Sequence, residues 1–210
     1  YFSYSHLDEI LEGRGISKLD VQSRLNLIDR LVNNNCILAG INFPQFICKN
    51  VFNVYNETQM PIQEYFRSCL NLLSKQFSIN RDELVKHLTL EKKTINNIPP
   101  ENILSSISDA FTEVEGYDID TYLYRCEANG RGKYHSLFNL LDFVCYHSDK
   151  QTEHSDLARL HDASHAYCAQ LCDVLVTQDK KMRYKAKAVF SFFGVSTIVL
   201  DVNSYLNGKW

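Results

Sequence analysis

Two aspartates in the last third of the chain stand at a spacing suited to holding a metal ion. In Leu160-His161-Asp162-Ala163-Ser164-His165-Ala166-Tyr167 a carboxylate lies inside a helical pattern. From Cys172-Asp173 the chain then runs through the short apolar strand Val174-Leu175-Val176-Thr177 to a second carboxylate, Asp179. At about 100° per residue, Asp162 shares its helix face with Ser155, Ala158, Ala166 and Ala169. All are small, which leaves room beside the carboxylate for a hydrated cation. Asp179 follows its strand at the end where parallel α/β sheets place their ligands. Both acids also have plainer readings, Asp162 as a surface or cap-like aspartate and Asp179 as the N-cap of a helix starting at Lys180. Thr177 is placed to hold Asp179 as a hydrogen-bond donor to it. Asp173 is a supporting acid or, standing ahead of the strand, a structural one.

Other chemistry-bearing residues crowd the same region. His161, His165, Cys168 and Cys172 recur on one helical stripe, and a histidine pair at i and i+4 can chelate zinc. The stripe spans about 16 Å at 1.5 Å per residue, too far for all of its members to close around one ion. His165 therefore reads as a packed or hydrogen-bonded residue, or as a support for the acidic site. Lys180, Lys181, Arg183, Lys185 and Lys187 form a basic run opposite the core stripe Met182, Ala186, Val189, Phe190 and Phe193. Such a run is either a solvated face or, beside Asp179, a set of phosphate contacts. Gly13-Arg14-Gly15 and Gly130-Arg131-Gly132-Lys133 lack P-loop spacing and read as turns.

The elements that must position these groups follow from composition and pattern. With 210 residues, 45% of them hydrophobic, the chain can bury one full core. A net charge of -3 gives no global basic field, so any nucleic-acid contact must be local. Seven cysteines without a C-x-x-C pair point to free thiols and a cytoplasmic address, and no run is long enough to span a membrane. Ser5 and Asp8 form a capping box for a first helix, and a second helix runs from Ser17 to the Asn33-Asn34-Asn35 turn. A buried strand is expected over 36–41. Helices are expected over 61–77, 81–90, 103–114, 133–146, 154–171 and 180–193, and strands over 174–177 and 196–200. Alternation of helix and strand at the C-terminal end predicts an α/β fold with a parallel sheet. The helical stretch 55–130, with its aromatic-rich piece 117–124, reads as an insertion on that core.

The segment 140–202 resembles the C-terminal half of a PIN-like domain, the metal-dependent nuclease fold. It is similar to a bacterial branch with the signature D-x-x-H-A-x-Y-A-x-x-C-D-x-x-V-T-x-D, met here by Asp162, His165-Ala166, Tyr167, Cys172-Asp173, Val176-Thr177 and Asp179. Lys187-Ala188-Val189-Phe190 and the 195–200 stretch continue the pattern. Tyr4-Ser5-His6-Leu7-Asp8-Glu9 resembles that branch's opening element, whose last acid is a metal ligand, which carries that role to Glu9. On local sequence alone, Glu9 is also a favoured first-turn helix acid.

The resemblance implies a single domain over 1–210 with the PIN-like three-layer architecture around a central, mostly parallel sheet, and 133–210 as the C-terminal half of the nuclease core. The first strand, which carries a further aspartate in the family, is expected before Tyr1. Asp142 and Asp149 are candidates for an additional acid, each better read as a solvated helix or turn residue. The implied activity is Mg²⁺- or Mn²⁺-dependent phosphodiester hydrolysis by Glu9, Asp162 and Asp179, with RNA favoured over single-stranded DNA and Lys180, Lys181, Arg183 and Lys187 contacting phosphates. A toxin or defence effector held by a regulatory protein partner, a homo-oligomer, and a non-catalytic module binding RNA or protein are the other expectations.

Overall fold

A computed structural model describes residues 1–4, 6–7, 10, 18–58, 84, 86, 95–126, 128–148 and 153–208. The elements in chain order are β1 (Phe2–Ser3), α1 (Lys18–Val32), β2 (Asn35–Leu38), β3 (Gln45–Cys48), α2 (Val51–Thr58), a 3₁₀ turn (Ile95–Asn97), α3 (Pro100–Glu115), α4 (Ile119–Arg125), α5 (Gly130–Phe143), α6 (Glu153–Ala169), β4 (Val174–Val176), α7 (Lys180–Phe193), β5 (Ile198–Leu200) and α8 (Val202–Leu206). The chain is a mixed α/β protein dominated by helix. The helices expected over 61–77 and 81–90 lie outside the described residues apart from Leu84 and Lys86, which are helical.

Local chemistry accounts for most of the boundaries. Pro100 opens α3, where its missing N–H is no loss, and Gly116 closes it in the left-handed conformation (φ 73°). Asp118 caps α4 through Thr121 N at 2.8 Å, and Asn129 caps α5 through Gly132 N at 2.9 Å. The expected turn at Gly130-Arg131-Gly132-Lys133 is thus the first turn of α5. Gly130 is required there, because a Cβ would stand 2.0 Å from the carbonyl oxygen of Asn42. Arg131 N donates to Ile41 O at 3.1 Å and the Tyr167 hydroxyl to Gly40 O at 2.8 Å, so the loop after β2 is tied to both α5 and α6.

The strands are short and divide, among the described residues, into two sheets. In one, β2 pairs in parallel with β1 (Phe2↔Cys36) and antiparallel with β3 (Cys36↔Ile47). In the other, β4 and β5 are parallel, with Val174↔Ile198 and Val176↔Leu200. The expectation of a first strand before Tyr1 did not foresee β1, which carries no acid. Strand β2 partitions two cores by simple alternation. Cys36 faces a cluster with Phe2, Leu25, Val51 and Val54, while Ile37 joins the main core. That main core is built by helices: Ile103, Ile107 and Phe111 of α3, Leu137 and Phe138 of α5, Ala166 and Tyr167 of α6, and Val189 and Phe190 of α7. The 100–125 part of the expected insertion therefore packs into the same core as the C-terminal segment. No helix among the described residues is long and apolar enough to cross a membrane.

Candidate functional site

Parallel pairing of β4 and β5 brings two helix starts side by side. Beyond β4, Thr177 N donates to Leu200 O at 3.0 Å, and the chain turns into α7. Asp179 caps that helix, its Oδ1 accepting from Lys181 N at 2.7 Å and Met182 N at 3.0 Å. Thr177 is expected to donate to Asp179, whereas its Oγ1 accepts from Asp179 N at 3.2 Å and so fixes the backbone of the cap. Beyond β5, Asp201 caps α8 through Ser204 N at 2.8 Å, and the bonds from Ser204 hold its carboxyl below the usual range. Arg183 spans the two strand ends. Its Nη1 donates to Thr177 O at 3.3 Å and stands 3.9 Å from Asp201 Oδ2, so it bridges the two strand ends. Sequence reasoning missed Asp201, although the signal that marked Asp179, an acid just past a short apolar strand, is repeated there. Asp173 is exposed and precedes β4, at the opposite end from Asp179, so it does not support that carboxylate.

Asp162 lies half-buried on α6, with Ala166 and Ala169 of its face buried and Ala158 exposed. One turn on, the His165 ring packs edge-on against His6, centroids 4.3 Å apart. His6 Nδ1 in turn accepts from Ser3 N at 3.1 Å. This contact lays the N-terminal segment against the Asp162 region of α6; Glu9 itself lies outside the described residues. On the inner side of α6, the buried Ser164 hydroxyl meets Arg131 Nη2 at 3.0 Å and His135 Nε2 at 3.2 Å. Burial, then Arg131 and His161, push the His135 pKa down to about 3. Burial also raises the thiols of Cys168, to about 12, and Cys36, to about 11, which keeps them protonated and poor metal ligands. Among the described residues no group of three His, Cys, Asp or Glu side chains is arranged to hold a metal ion.

Asp142 departs from its expectation as a solvated residue. It is buried, ion-paired with Arg159 Nε, and 3.2 Å from Lys185 Nζ. Arg159 Nη1 also donates to Asn139 Oδ1 at 3.1 Å. Lys185, which the sequence pattern grouped with the basic run, is 1% exposed and turned into the core, whereas Lys180 and Lys187 are exposed and Lys181 half-buried. The signal lay in helix spacing: Asp142 is four residues from the core residue Phe138, on the buried face of α5. Asp149 lies outside the described residues.

No protein-family model matches the chain, and neither a curated protein nor a solved structure matches it. The Asp179 cap occupies Oδ1 alone, and a carboxylate has acceptor sites to spare on its second oxygen. Oxygen donors of this kind suit Mg²⁺ or Mn²⁺ better than the neutral thiols and inward-turned His161 suit zinc.

Proposed function

We propose that the chain is a PIN-like nuclease, with the family's three-layer arrangement, that hydrolyses phosphodiester bonds in RNA with Mg²⁺ or Mn²⁺. The observation that supports this reading is the packing of His6, three positions before Glu9 in the sequence, on His165 of the helix bearing Asp162. Glu9, Asp162 and the Oδ2 side of Asp179 would hold the ion directly or through water. When bound, such an ion supplies a water of lowered pKa as nucleophile and charge to steady the leaving oxygen. The chain's own part is to orient these acids on α6 and the α7 cap, and to hold the substrate's phosphates with Lys180, Lys181 and Lys187. No side chain then needs to act as a nucleophile.

The test is cleavage of labelled RNA and single-stranded DNA with Mn²⁺ or with EDTA, comparing the chain with its Asp162→Asn variant. Metal-dependent cutting of RNA that falls at least about a hundredfold in the variant is expected, as when an electrostatic group at a reacting phosphate is removed. Equal cutting by both proteins would sink the assignment of Asp162. A second reading, a non-catalytic PIN-like module that binds RNA or a protein, is favoured by the use of Asp179 as a helix cap. It predicts binding of RNA with no cutting under any metal.

A further inference from the structure

The aromatic-rich piece around α4 has no part in the acidic site, yet it builds one wall of a cleft. Of its tyrosines, Tyr122 is buried in the main core, whereas Tyr124 is 84% exposed. Leu123, Tyr124 and Arg125 of the last turn of α4 line an open cleft of about 860 Å³, together with Lys133 of the first turn of α5 and with Phe192 and Phe193 at the end of α7. That volume falls within the ~300–1,000 Å³ of small-ligand sites. Asp120 also lines the cleft, one helical turn before Tyr124 and so on the same face of α4. The aromatic wall is held by packing. Phe193 leans on Tyr134, ring centroids 5.0 Å apart, and meets Phe192 edge-on at 5.2 Å. Arg125 is held too, its guanidinium carbon 4.1 Å from the centre of the Tyr117 ring. Stacking takes up a face of the guanidinium and leaves N–H donors on its edge. Lys133 and Asp120 are exposed.

The described lining thus combines ring surfaces, two cations and a carboxylate. A nucleotide matches each of these, since its base is a flat π-surface, its phosphate an anion, and its sugar hydroxyls and base amines are donors. A peptide is taken up along a strand edge or in a long groove, and this cleft lies instead where the ends of helices meet. We propose that the cleft binds a free nucleotide, with its base against Tyr124 and the Phe192-Phe193 pair, its phosphate on Arg125 and Lys133, and a sugar hydroxyl or base amine donating to Asp120. Phe193 closes the 14-residue helix that Asp179 caps, which puts the cleft about 20 Å from that carboxylate at 1.5 Å per residue. The site is separate from the acids and does not rest on the nuclease reading.

Isothermal titration calorimetry of the full chain in EDTA, with AMP, GMP, CMP and UMP and the matching nucleosides, tests the site. At least one monophosphate should bind more tightly than about 100 μM, and its nucleoside about tenfold more weakly. Arg125→Gln with Lys133→Gln should abolish that difference. Tyr124→Ala should weaken the nucleotide about tenfold, whereas Tyr124→Phe, which keeps the ring, should stay within about twofold of the parent. Tyr124, Arg125 and Lys133 are all exposed, so these changes leave the core untouched and the far-UV circular dichroism should coincide with that of the parent. No monophosphate bound at about 1 mM would overturn the proposal. So would binding that Tyr124→Ala and the double variant both leave within about twofold of the parent, which places the ligand elsewhere. A long single-stranded RNA that binds while no mononucleotide does would overturn it too, in favour of a surface for a strand. Nucleotide binding without any metal-dependent cutting would leave the cleft standing and remove the nuclease.

Discussion

Arg131 donates to the Ser164 hydroxyl, which also lies within hydrogen-bond distance of His135 Nε2. His135, the third member of that group, is held neutral chiefly by burial. Its pKa of about 3 in the fold lies far below the ordinary 6.5. The sign of the linkage follows directly. Below about pH 6.5 the unfolded chain takes up a proton that the folded chain refuses until near pH 3, so stability is full above that window and falls as pH drops through it, by up to ~1.4 kcal/mol per pH unit. Melting temperatures measured between about pH 7 and about pH 4.5 should show the fall, and His135→Gln, which stays neutral, should flatten it. An identical acid slope in the variant would assign the loss to other groups. None of this was legible in the sequence. His135 occupies an ordinary helix position, and what sets its state is burial first, then the charge of Arg131 and the nearness of His161, the first and last of which come from the docking of α6 on α5.

At the scale of single elements, α7 was the most legible piece of the chain. Its bounds, Lys180–Phe193, follow from the acid before it and from Gly194, which closes it at φ 65°. The two readings of Asp179, cap and metal ligand, are separable by experiment. Asp179→Ala loses the cap and should cost about 1 kcal/mol in denaturant unfolding. Asp179→Asn keeps the cap, and should stay within about 0.5 kcal/mol of the parent while losing metal-dependent cleavage. If the asparagine variant cuts RNA as well as the parent, Asp179 is a cap only. Less legible were β3 and α2. Gln45–Cys48 is mostly exposed and lacks an alternating pattern, while α2 owes its start to Asn50, whose Oδ1 accepts from Phe52 N at 2.9 Å. Asparagine before an apolar run is a cap signal, but an eight-residue helix gives too few turns for periodicity to confirm it.

In the whole molecule, the ion cluster of Asp142, Arg159 and Lys185 joins α5, α6 and α7, the last two of which carry Asp162 and follow Asp179. A buried lysine and a half-buried arginine share one carboxylate, so neutralising it should cost much more than an exposed pair is worth. Asp142→Asn is expected to destabilise the chain by about 3–5 kcal/mol in urea unfolding, and a loss below about 1 kcal/mol would show that the cations find other partners. By itself the sequence determined the helical periods of the described C-terminal segment, the cap at Asp179 and the order of elements near the C-terminal end, because each depends on residues within a turn or two of one another. It also marked Asp162 and Asp179 as acids worth attention. Only the tertiary structure decided which polar residues leave solvent: Asp142 and Lys185, read as surface groups, are buried against each other, and Arg183 bridges two strand ends. It likewise decided that the short strands divide between two sheets and that helices build the core. Those outcomes depend on contacts between residues far apart in the chain, where the energy comes from burial and charge pairing that no local pattern encodes.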